Sequence, residues 1–298
     1  MSRIMITGNQ GFFGTRFELR FGAQHTILGV DKDEVDIVDE AAVREAVQAF
    51  RPELVIHAAA VTATAFSNEH PDLTRRINVD GAVHVAQAAA SVGARMIFFS
   101  TEQVFNGNEE PGPYRESDEP LPDTMYGITK LEAEAKVKEA IDDLWILRFT
   151  WLCGLPERAP DGRALPVNPN IIWNALQIAL QGERVQIPVH EYRGHTWGHD
   201  MIGAVMQVPE IPYGTYHIGS RNDLGRYEVT RHVLRELGLT ERRIAELVEP
   251  DHERYAHRHR DIRLDTSLIC DAGIPFETTE VAISRALRES GLLGVAAG

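Results

Sequence analysis

A tyrosine and a lysine four residues apart, Tyr126 and Lys130 in the segment MYGITK, could form an acid–base pair. Residues at positions i and i+4 share one face of a helix, so both side chains could point at one ligand. The unperturbed pKa of tyrosine is about 10, and a neighbouring ammonium would favour the phenolate and lower that pKa. Such a pair could protonate the oxyanion that forms when a hydride reaches a carbonyl carbon. Because this spacing also occurs by chance, the rest of the chain must supply evidence for a cofactor.

A glycine-rich turn near the N-terminus, TGNQGFFG, predicts a dinucleotide site. Its three glycines follow a predicted strand and open a predicted helix, an arrangement that is typical of a pyrophosphate bound at a helix N-terminus. The predicted cofactor contacts in this turn are Gly8, Gln10, Gly11, Phe12, Phe13 and Gly14. A glycine-rich turn that binds no ligand is the alternative.

Asp31 follows the glycines by about 20 residues and ends the second predicted strand, where a carboxylate can bind the adenosine ribose. A carboxylate at this position repels a 2′-phosphate, which favours NAD(H) over NADP(H). Lys32 and Arg16 could weaken that preference, so NADP(H) is possible. Asp31 could also be a simple turn residue at the end of its strand.

The elements that must position these residues alternate along the first half of the chain. Apolar runs predict strands at 3–8, 25–31, 53–60, 95–101 and 144–150, with helices between them. Continuous apolar strands separated by helices indicate a parallel sheet covered on both faces, which is a doubly wound α/β (Rossmann) fold. Ser100 and Thr101 end the fourth strand at the edge where ligands bind, so either hydroxyl could donate to a substrate carbonyl oxygen.

The pattern changes after about residue 150. Segment 155–170 is rich in Pro, Gly and Arg and is typical of a loop, and shorter elements follow it. We predict a dinucleotide-binding domain at 1–150 and a smaller C-terminal substrate-binding lobe at 151–298. The chain could cross back to the sheet within that second part.

The formal net charge of −14 argues against nucleic acid or an anionic membrane as a partner, because both need a basic surface. Two cysteines, Cys153 and Cys270, are too few for a disulfide framework and are typical of reduced thiols. The N-terminus lacks signal-peptide features, and no segment approaches the ~20 apolar residues of a membrane helix. We therefore expect a cytoplasmic protein.

Motifs along nearly the whole chain resemble those of extended short-chain dehydrogenase/reductases, and within that group the dTDP-4-dehydrorhamnose reductases. The matching segments of the first half are GNQGFFG, VDIVDEAAV, RPELVIHAAAVTA, RRINVDGAVHVAQAAA, FFSTEQVFNG, YGITKLEAE and LRFTWLCG. Those that resemble a sugar-nucleotide-binding lobe are HEYRGHTWGHDMIGAV, GTYHIGS and RHRDIRLDTSL.

The resemblance implies a role for each matched residue. Tyr126 would be the proton donor, Lys130 its electrostatic partner and Thr101 the donor to the carbonyl oxygen. Further cofactor contacts would be Asp36, Ile37, Ala58, Ala59, Ala60, Asn78 and Ser100, together with Tyr126 and Lys130. Contacts to the substrate would be Glu102, Gln103, Val104 and Trp151.

The basic, histidine-rich segment 251–263 could bind the substrate's diphosphate. Arg258 and Arg260 are the predicted contacts, because guanidinium groups match phosphate oxygens. A solvated basic face is the alternative. The histidines of the segment lack a recognisable ligand spacing, so no metal site is predicted.

These features predict an NAD(P)H-dependent reductase of a nucleotide-linked 4-keto-6-deoxysugar, and a homodimer is plausible. The chain has Glu102 and Gln103 where the family usually has Asp and Tyr, which puts the usual sugar in doubt. One alternative is a non-catalytic NAD(P)-binding regulatory subunit, as in methionine adenosyltransferase. Another is a nucleotide-sugar epimerase or dehydratase, for which Glu102 could supply an added acid.

Overall fold

The computed structural model describes residues 1–295, and a six-stranded parallel sheet lies at its centre. The strands are β1 (Arg3–Thr7), β2 (Thr26–Val30), β3 (Leu54–His57), β4 (Arg95–Thr101), β5 (Leu144–Phe149), β6 (Trp151–Cys153), β7 (Val185–Pro188), β8 (Glu191–Tyr192), β9 (His195–Trp197), β10 (Gly214–Ile218), β11 (Val248–Asp251) and β12 (Arg260–Asp261).

Helices precede or follow most of these strands. They are α1 (Phe12–Phe21), α2 (Glu40–Phe50), α3 (Thr64–Glu69), α4 (Pro71–Arg75), α5 (Gly81–Ser91), α6 (Met125–Ala140), α7 (Ile171–Gln181), α8 (Gly198–Val205), α9 (Arg226–Glu236), α10 (Glu241–Leu247), α11 (Ser267–Asp271) and α12 (Thr279–Glu289). A π-helical turn, Arg76–Asp80, joins α4 to α5, and 3-10 turns span Glu102–Phe105 and Val208–Glu210.

The central sheet has the strand order β10-β5-β4-β3-β1-β2, and every neighbouring pair is parallel. Strands β1 to β5 are the five that the sequence predicts, and the expected doubly wound α/β fold is confirmed. The sixth strand, β10, comes from the second half of the chain and pairs with β5. The division into domains at residue 150 stays a prediction.

Both faces of the sheet are covered, as the continuous apolar strands predict. In β5, Leu147 belongs to an apolar cluster with Phe17 of α1 and Met201 of α8. Its neighbour Ile146 belongs to a separate cluster with Val85 of α5 and residues of α2 and α6. Successive residues of a strand point to opposite faces, so β5 contributes to the core on each side.

The second half of the chain builds its own apolar cluster around α7, α9, α10 and α12. Three two-stranded parallel pairs accompany it, namely β6 with β9, β7 with β11 and β8 with β12. The pair of β6 with β9 begins directly after β5, so this part of the chain lies next to the carboxyl end of the central sheet.

No helix within residues 1–295 is both long and apolar enough to span a membrane. The longest described helix, α6, has 16 residues and carries several charges.

Candidate active site

A cleft of about 700 Å³ lies at the carboxyl edge of the central sheet. Its wall includes residues at the carboxyl ends of β1 to β5, which is the edge where doubly wound sheets bind ligands. The predicted site residues that line it are Gly8, Gly11, Phe12, Phe13, Asp31, Ala58, Ala59, Ala60, Ser100, Thr101, Glu102, Gln103, Tyr126, Lys130 and Trp151. The structure thus brings the glycine turn and the tyrosine–lysine pair to one cavity.

The glycine turn is shaped by close backbone contacts. Gly8 has φ +74°, and a Cβ there would lie 2.8 Å from the backbone nitrogen of Ala59. A Cβ on Gly14 would lie 2.4 Å from the Cα of Asn9, so this glycine allows the helix to pack on its own turn. Gly11 is the N-cap of α1, and no side chain caps that helix. The first backbone N–H groups of α1 are therefore available to an anion in the cleft.

The other end of the cleft is formed by α6. Its N-cap, Thr124, accepts a hydrogen bond from the backbone nitrogen of Gly127 at 3.2 Å, which fixes where the helix begins. Tyr126 and Lys130 follow at i and i+4 on the buried face, and only 9% and 2% of their surfaces are exposed. The Tyr126 side chain lies beside that of Thr101, at the end of β4, on the wall of the cleft.

Burial controls the protonation of both groups. It raises the pKa of Tyr126 to about 12; the neighbouring hydroxyl of Thr101 opposes this rise and the charge of Glu102 adds to it. Burial also lowers the pKa of Lys130 to about 7, opposed by the carboxylate of Glu134. From the sequence, the Lys130 ammonium is expected to lower the pKa of Tyr126. The structure differs because burial removes water from both charged forms, and for Tyr126 this loss of hydration is the dominant effect.

A buried carboxyl–guanidinium pair lies next to these residues. Oε1 of Glu102 is 3.6 Å from Nη1 of Arg193, whose guanidinium lies 4.9 Å from the ring centroid of Trp151. Burial raises the pKa of Glu102 to about 7, opposed first by the charge of Arg193. Arg193 lines the cleft and was not among the predicted site residues. Its segment matched the family, but a charged residue between two short strands gives no sequence signal of burial.

Five predicted cofactor residues, Gln10, Gly14, Asp36, Ile37 and Asn78, lie outside the cleft wall. Gln10 is exposed, and its backbone nitrogen donates to Oδ2 of Asp31 at 3.3 Å. Asp36 is exposed and accepts from the backbone nitrogen of Val38 at 3.0 Å, as a turn residue does. Ile37 is buried against α5. Gly14 is the packing glycine described above.

Asn78, in the π-helical turn, is buried and holds the loop that follows β3. Its Oδ1 accepts from the backbone nitrogen of Val61 at 2.8 Å, and its Nδ2 donates to the Val61 oxygen and to Oγ1 of Thr129. Its side chain therefore ties this loop to α6, and it reaches the cleft only through the backbone that it positions.

Three predicted substrate contacts also lie away from the cleft wall. Val104 is fully buried in an apolar cluster with Phe105, because the 3-10 turn after β4 points it into the core. Arg258 donates to Oδ2 of Asp123, and Arg260 donates to Oε1 of Glu191 and Oδ1 of Asn106. These guanidinium groups are thus engaged by partners within the chain. No group of three or more His, Cys, Asp or Glu within residues 1–295 is arranged to hold a metal ion.

Comparisons with known proteins agree with this architecture. The family model described as "RmlD substrate binding domain" matches residues 1–291. A dTDP-4-dehydrorhamnose reductase of Streptomyces griseus is 31% identical over 282 residues, which cover 91% of this chain and 88% of that protein. The methionine adenosyltransferase 2 subunit beta of Bos taurus is 27% identical over 280 residues, 91% of this chain and 83% of its own.

Among solved structures, a dTDP-4-dehydrorhamnose reductase of Bacillus anthracis in complex with NADP superposes with a TM-score of 0.84. It is 25% identical, and the alignment covers 97% of this chain and 100% of that one. The similarity extends over both halves of the molecule.

Replacing Gly8 by alanine should destabilise the fold by at least about 1 kcal/mol more than the matched change Gly93→Ala. Both glycines have positive φ, +74° and +70°, but a Cβ on Gly93 would meet nothing within 4 Å, whereas on Gly8 it meets the Ala59 backbone. Urea unfolding of the two variants measures the difference. Equal losses of unfolding free energy would show that the contact with Ala59 does not constrain the turn.

Proposed function

The chain belongs to the family described as the RmlD substrate binding domain, and we propose that it reduces the keto group of a nucleotide-linked 4-keto-6-deoxysugar with NAD(P)H. The predicted extended short-chain dehydrogenase/reductase relationship, and with it the oxidoreductase class, is confirmed by this membership. The observation that carries the finer proposal is the position of Tyr126: its side chain lies beside Thr101 on the wall that also contains the glycine turn.

The residues of the cleft fit a dinucleotide. Backbone at Gly8 and Gly11 and the uncapped N-terminus of α1 would hold the pyrophosphate, since a Cβ on Gly8 would displace the turn. Asp31 would accept from the adenosine ribose, and Lys130 would donate to the nicotinamide ribose. When bound, the nicotinamide supplies the hydride that the keto carbon receives.

Tyr126 supplies the proton. Its raised pKa means that the phenol keeps its proton at neutral pH and has one to give. An alkoxide is a stronger base than a phenolate, so transfer from Tyr126 to the developing sugar oxygen is downhill. The hydroxyl of Thr101 directs the phenol and donates to the same oxygen, and an ammonium on Lys130 stabilises the phenolate that is left.

Asp31 supports a preference for NAD(H). Its carboxylate lies at the cleft wall, where the backbone nitrogen of Lys32 donates to Oδ1 at 2.8 Å and Glu34 adds a second carboxylate nearby. Arg16, which could have offset this charge, is buried beside Glu157 with Nε 3.3 Å from Oε2. The Bacillus anthracis relative is in complex with NADP, so this preference is a proposal about this chain alone.

The sugar would lie between the nicotinamide end of the cleft and the pair of Glu102 and Arg193. A carboxyl group that accepts and a guanidinium that donates suit neighbouring sugar hydroxyls, and Trp151 would add an apolar contact from the same wall. Gln103, in place of the family's tyrosine, also lines this end. The diphosphate contacts of Arg258 and Arg260, the homodimer and the cytoplasmic location stay predictions.

The alternatives receive less support. A regulatory subunit would need only the cofactor cleft. In this chain Tyr126, Lys130 and Thr101 also line that cleft. An epimerase or dehydratase would use the same fold, with Glu102 as the added acid.

Tyr126→Phe should lower kcat by about 10²–10⁴-fold and leave NADH affinity within a few-fold, because only the proton donor is lost. Oxidation of NADH and NADPH at 340 nm is followed with a panel of dTDP-linked 4-keto-6-deoxyhexoses. Tyr213→Phe, at a tyrosine that is 45% exposed, is the matched control and should retain full activity. No turnover by the wild type on any keto-sugar, or an unimpaired Tyr126→Phe, would contradict the proposal.

Asp31→Ser should improve kcat/KM for NADPH relative to NADH by at least about tenfold, because a carboxylate that repels the 2′-phosphate is removed. Asp33→Asn, at an exposed carboxylate outside the cleft wall, should leave the ratio unchanged. If the ratio of kcat/KM for NADPH to kcat/KM for NADH changed equally in both variants, the general charge of the loop, and not Asp31, would determine the preference.

A further inference from the structure

A buried ion pair lies one helical turn beyond Lys130, on the same face of α6. Glu134 accepts from Nε of Arg148 at 3.0 Å on Oε1 and from Nη2 at 2.7 Å on Oε2, a bidentate arrangement. The hydroxyl of Ser100 donates to Oε1 of the same carboxylate. The side chains of Arg148 and Glu134 are only 6% and 3% exposed. Three elements, α6, β4 and β5, therefore converge on one carboxylate that lies next to the cleft.

Lys130 itself is not held in an ion pair. No salt bridge within residues 1–295 includes it, and its Nζ lies 4.0 Å from the ring centroid of Phe98. Both oxygens of Glu134 are bound by Arg148, and the carboxylate forms no salt bridge with the lysine that is four residues earlier. The ammonium group of Lys130 therefore stays available to a ligand in the cleft, whose wall includes Lys130.

The other charged and titratable groups around Lys130 do not replace this carboxylate. Tyr126 precedes it on α6, and Glu102 faces Tyr126 from the 3-10 turn. His57 on β3 is buried, and burial together with the charge of Lys130 lowers its pKa to about 3, so it is neutral. Burial lowers the pKa of Lys130, and Glu134 is the group that opposes this effect.

We propose that the Glu134–Arg148 pair, anchored on Ser100, is a positioning device for the charge of Lys130. Glu134 supplies the negative charge that favours the ammonium in a buried setting. Arg148 holds that carboxylate in place, so that it supports the ammonium from a distance without binding it. The catalytic meaning of this arrangement rests on the proposed reductase function, whereas the charge of Lys130 can be measured without substrate or cofactor.

The chain has few lysines, so the protonation of Lys130 can be measured directly. There are four lysines, Lys32, Lys130, Lys136 and Lys138, and Lys130 is the buried one. Protein labelled with ¹³Cε-lysine should give four resonances whose pH titrations are followed by NMR, and Lys130→Met assigns the fourth. In the wild type the Lys130 midpoint should lie near pH 7, well below the other three.

Glu134→Gln should lower the Lys130 midpoint by roughly one pH unit or more, because the supporting carboxylate is gone. Arg148→Gln should raise the midpoint, because the freed carboxylate can approach the ammonium. Glu132→Gln, on the outer face of α6 where Glu132 binds Arg75 and Lys136, is the matched control and should leave it unchanged. A merely structural pair would not move the midpoint in opposite directions.

If Glu134→Gln alone does not fold because Arg148 is left unpaired, the double variant Glu134→Gln/Arg148→Met removes both charges and should still lower the midpoint. An unchanged midpoint in the folded variants, or a fall in Arg148→Gln, overturns the proposal. A wild type that turns over no keto-sugar, but whose variants show these shifts, would refute the reductase function and leave this inference standing.

Discussion

The structure depends on the exclusion of water from one face of α6. That helix packs against the carboxyl ends of β4 and β5, and the packing buries Tyr126 and Lys130 at the wall of a cleft. Because each charged form loses hydration there, the phenol keeps its proton and the lysine approaches neutrality. A proton donor beside a hydride acceptor is useful only if it still carries its proton. A phenol with the ordinary pKa of about 10 already keeps its proton at neutral pH, and burial moves the pKa of Tyr126 further above neutrality.

The burial of Lys130 requires a compensating negative charge deeper in the core. A lysine in a dry region keeps its charge only if a negative group is near, and that group must not capture it. The fold meets both requirements by placing Glu134 one turn further along the helix and binding it from two strands, through Ser100 and Arg148. The strands β4 and β5, whose carboxyl ends form part of the cleft, thus also hold the carboxylate that favours the charged form of Lys130.

Much of this architecture could be predicted from sequence. The apolar runs of β1 to β5 are continuous and are separated by helical segments, so the existence of these strands and their parallel pairing could be predicted from this alternation. The glycine turn, Tyr126, Lys130 and Thr101 meet in one cleft because all lie at the ends of parallel strands or at the start of a helix. The sequence pattern is sufficient to predict a contact when both residues lie at the ends of neighbouring strands or at the start of a helix.

Contacts between distant segments were harder to predict. β10 joins the sheet from the second half of the chain, and Arg193 reaches the cleft from a short connection between two small strands. Val104 belongs to the core because a tight turn redirects it, although Gln103 directly before it lines the cleft. The protonation of Tyr126 also escaped prediction, because burial depends on what packs over a helix and not on the helix sequence.

The most direct test of the account is a single turnover with NADH deuterated at C4 of the nicotinamide, in the presence of a dTDP-linked 4-keto-6-deoxyhexose. The account predicts that deuterium appears at C4 of the sugar, bonded to the carbon whose oxygen takes the proton of Tyr126. If the protein binds both molecules and all deuterium stays on the nicotinamide, the cleft binds without catalysing, and the central claim is wrong.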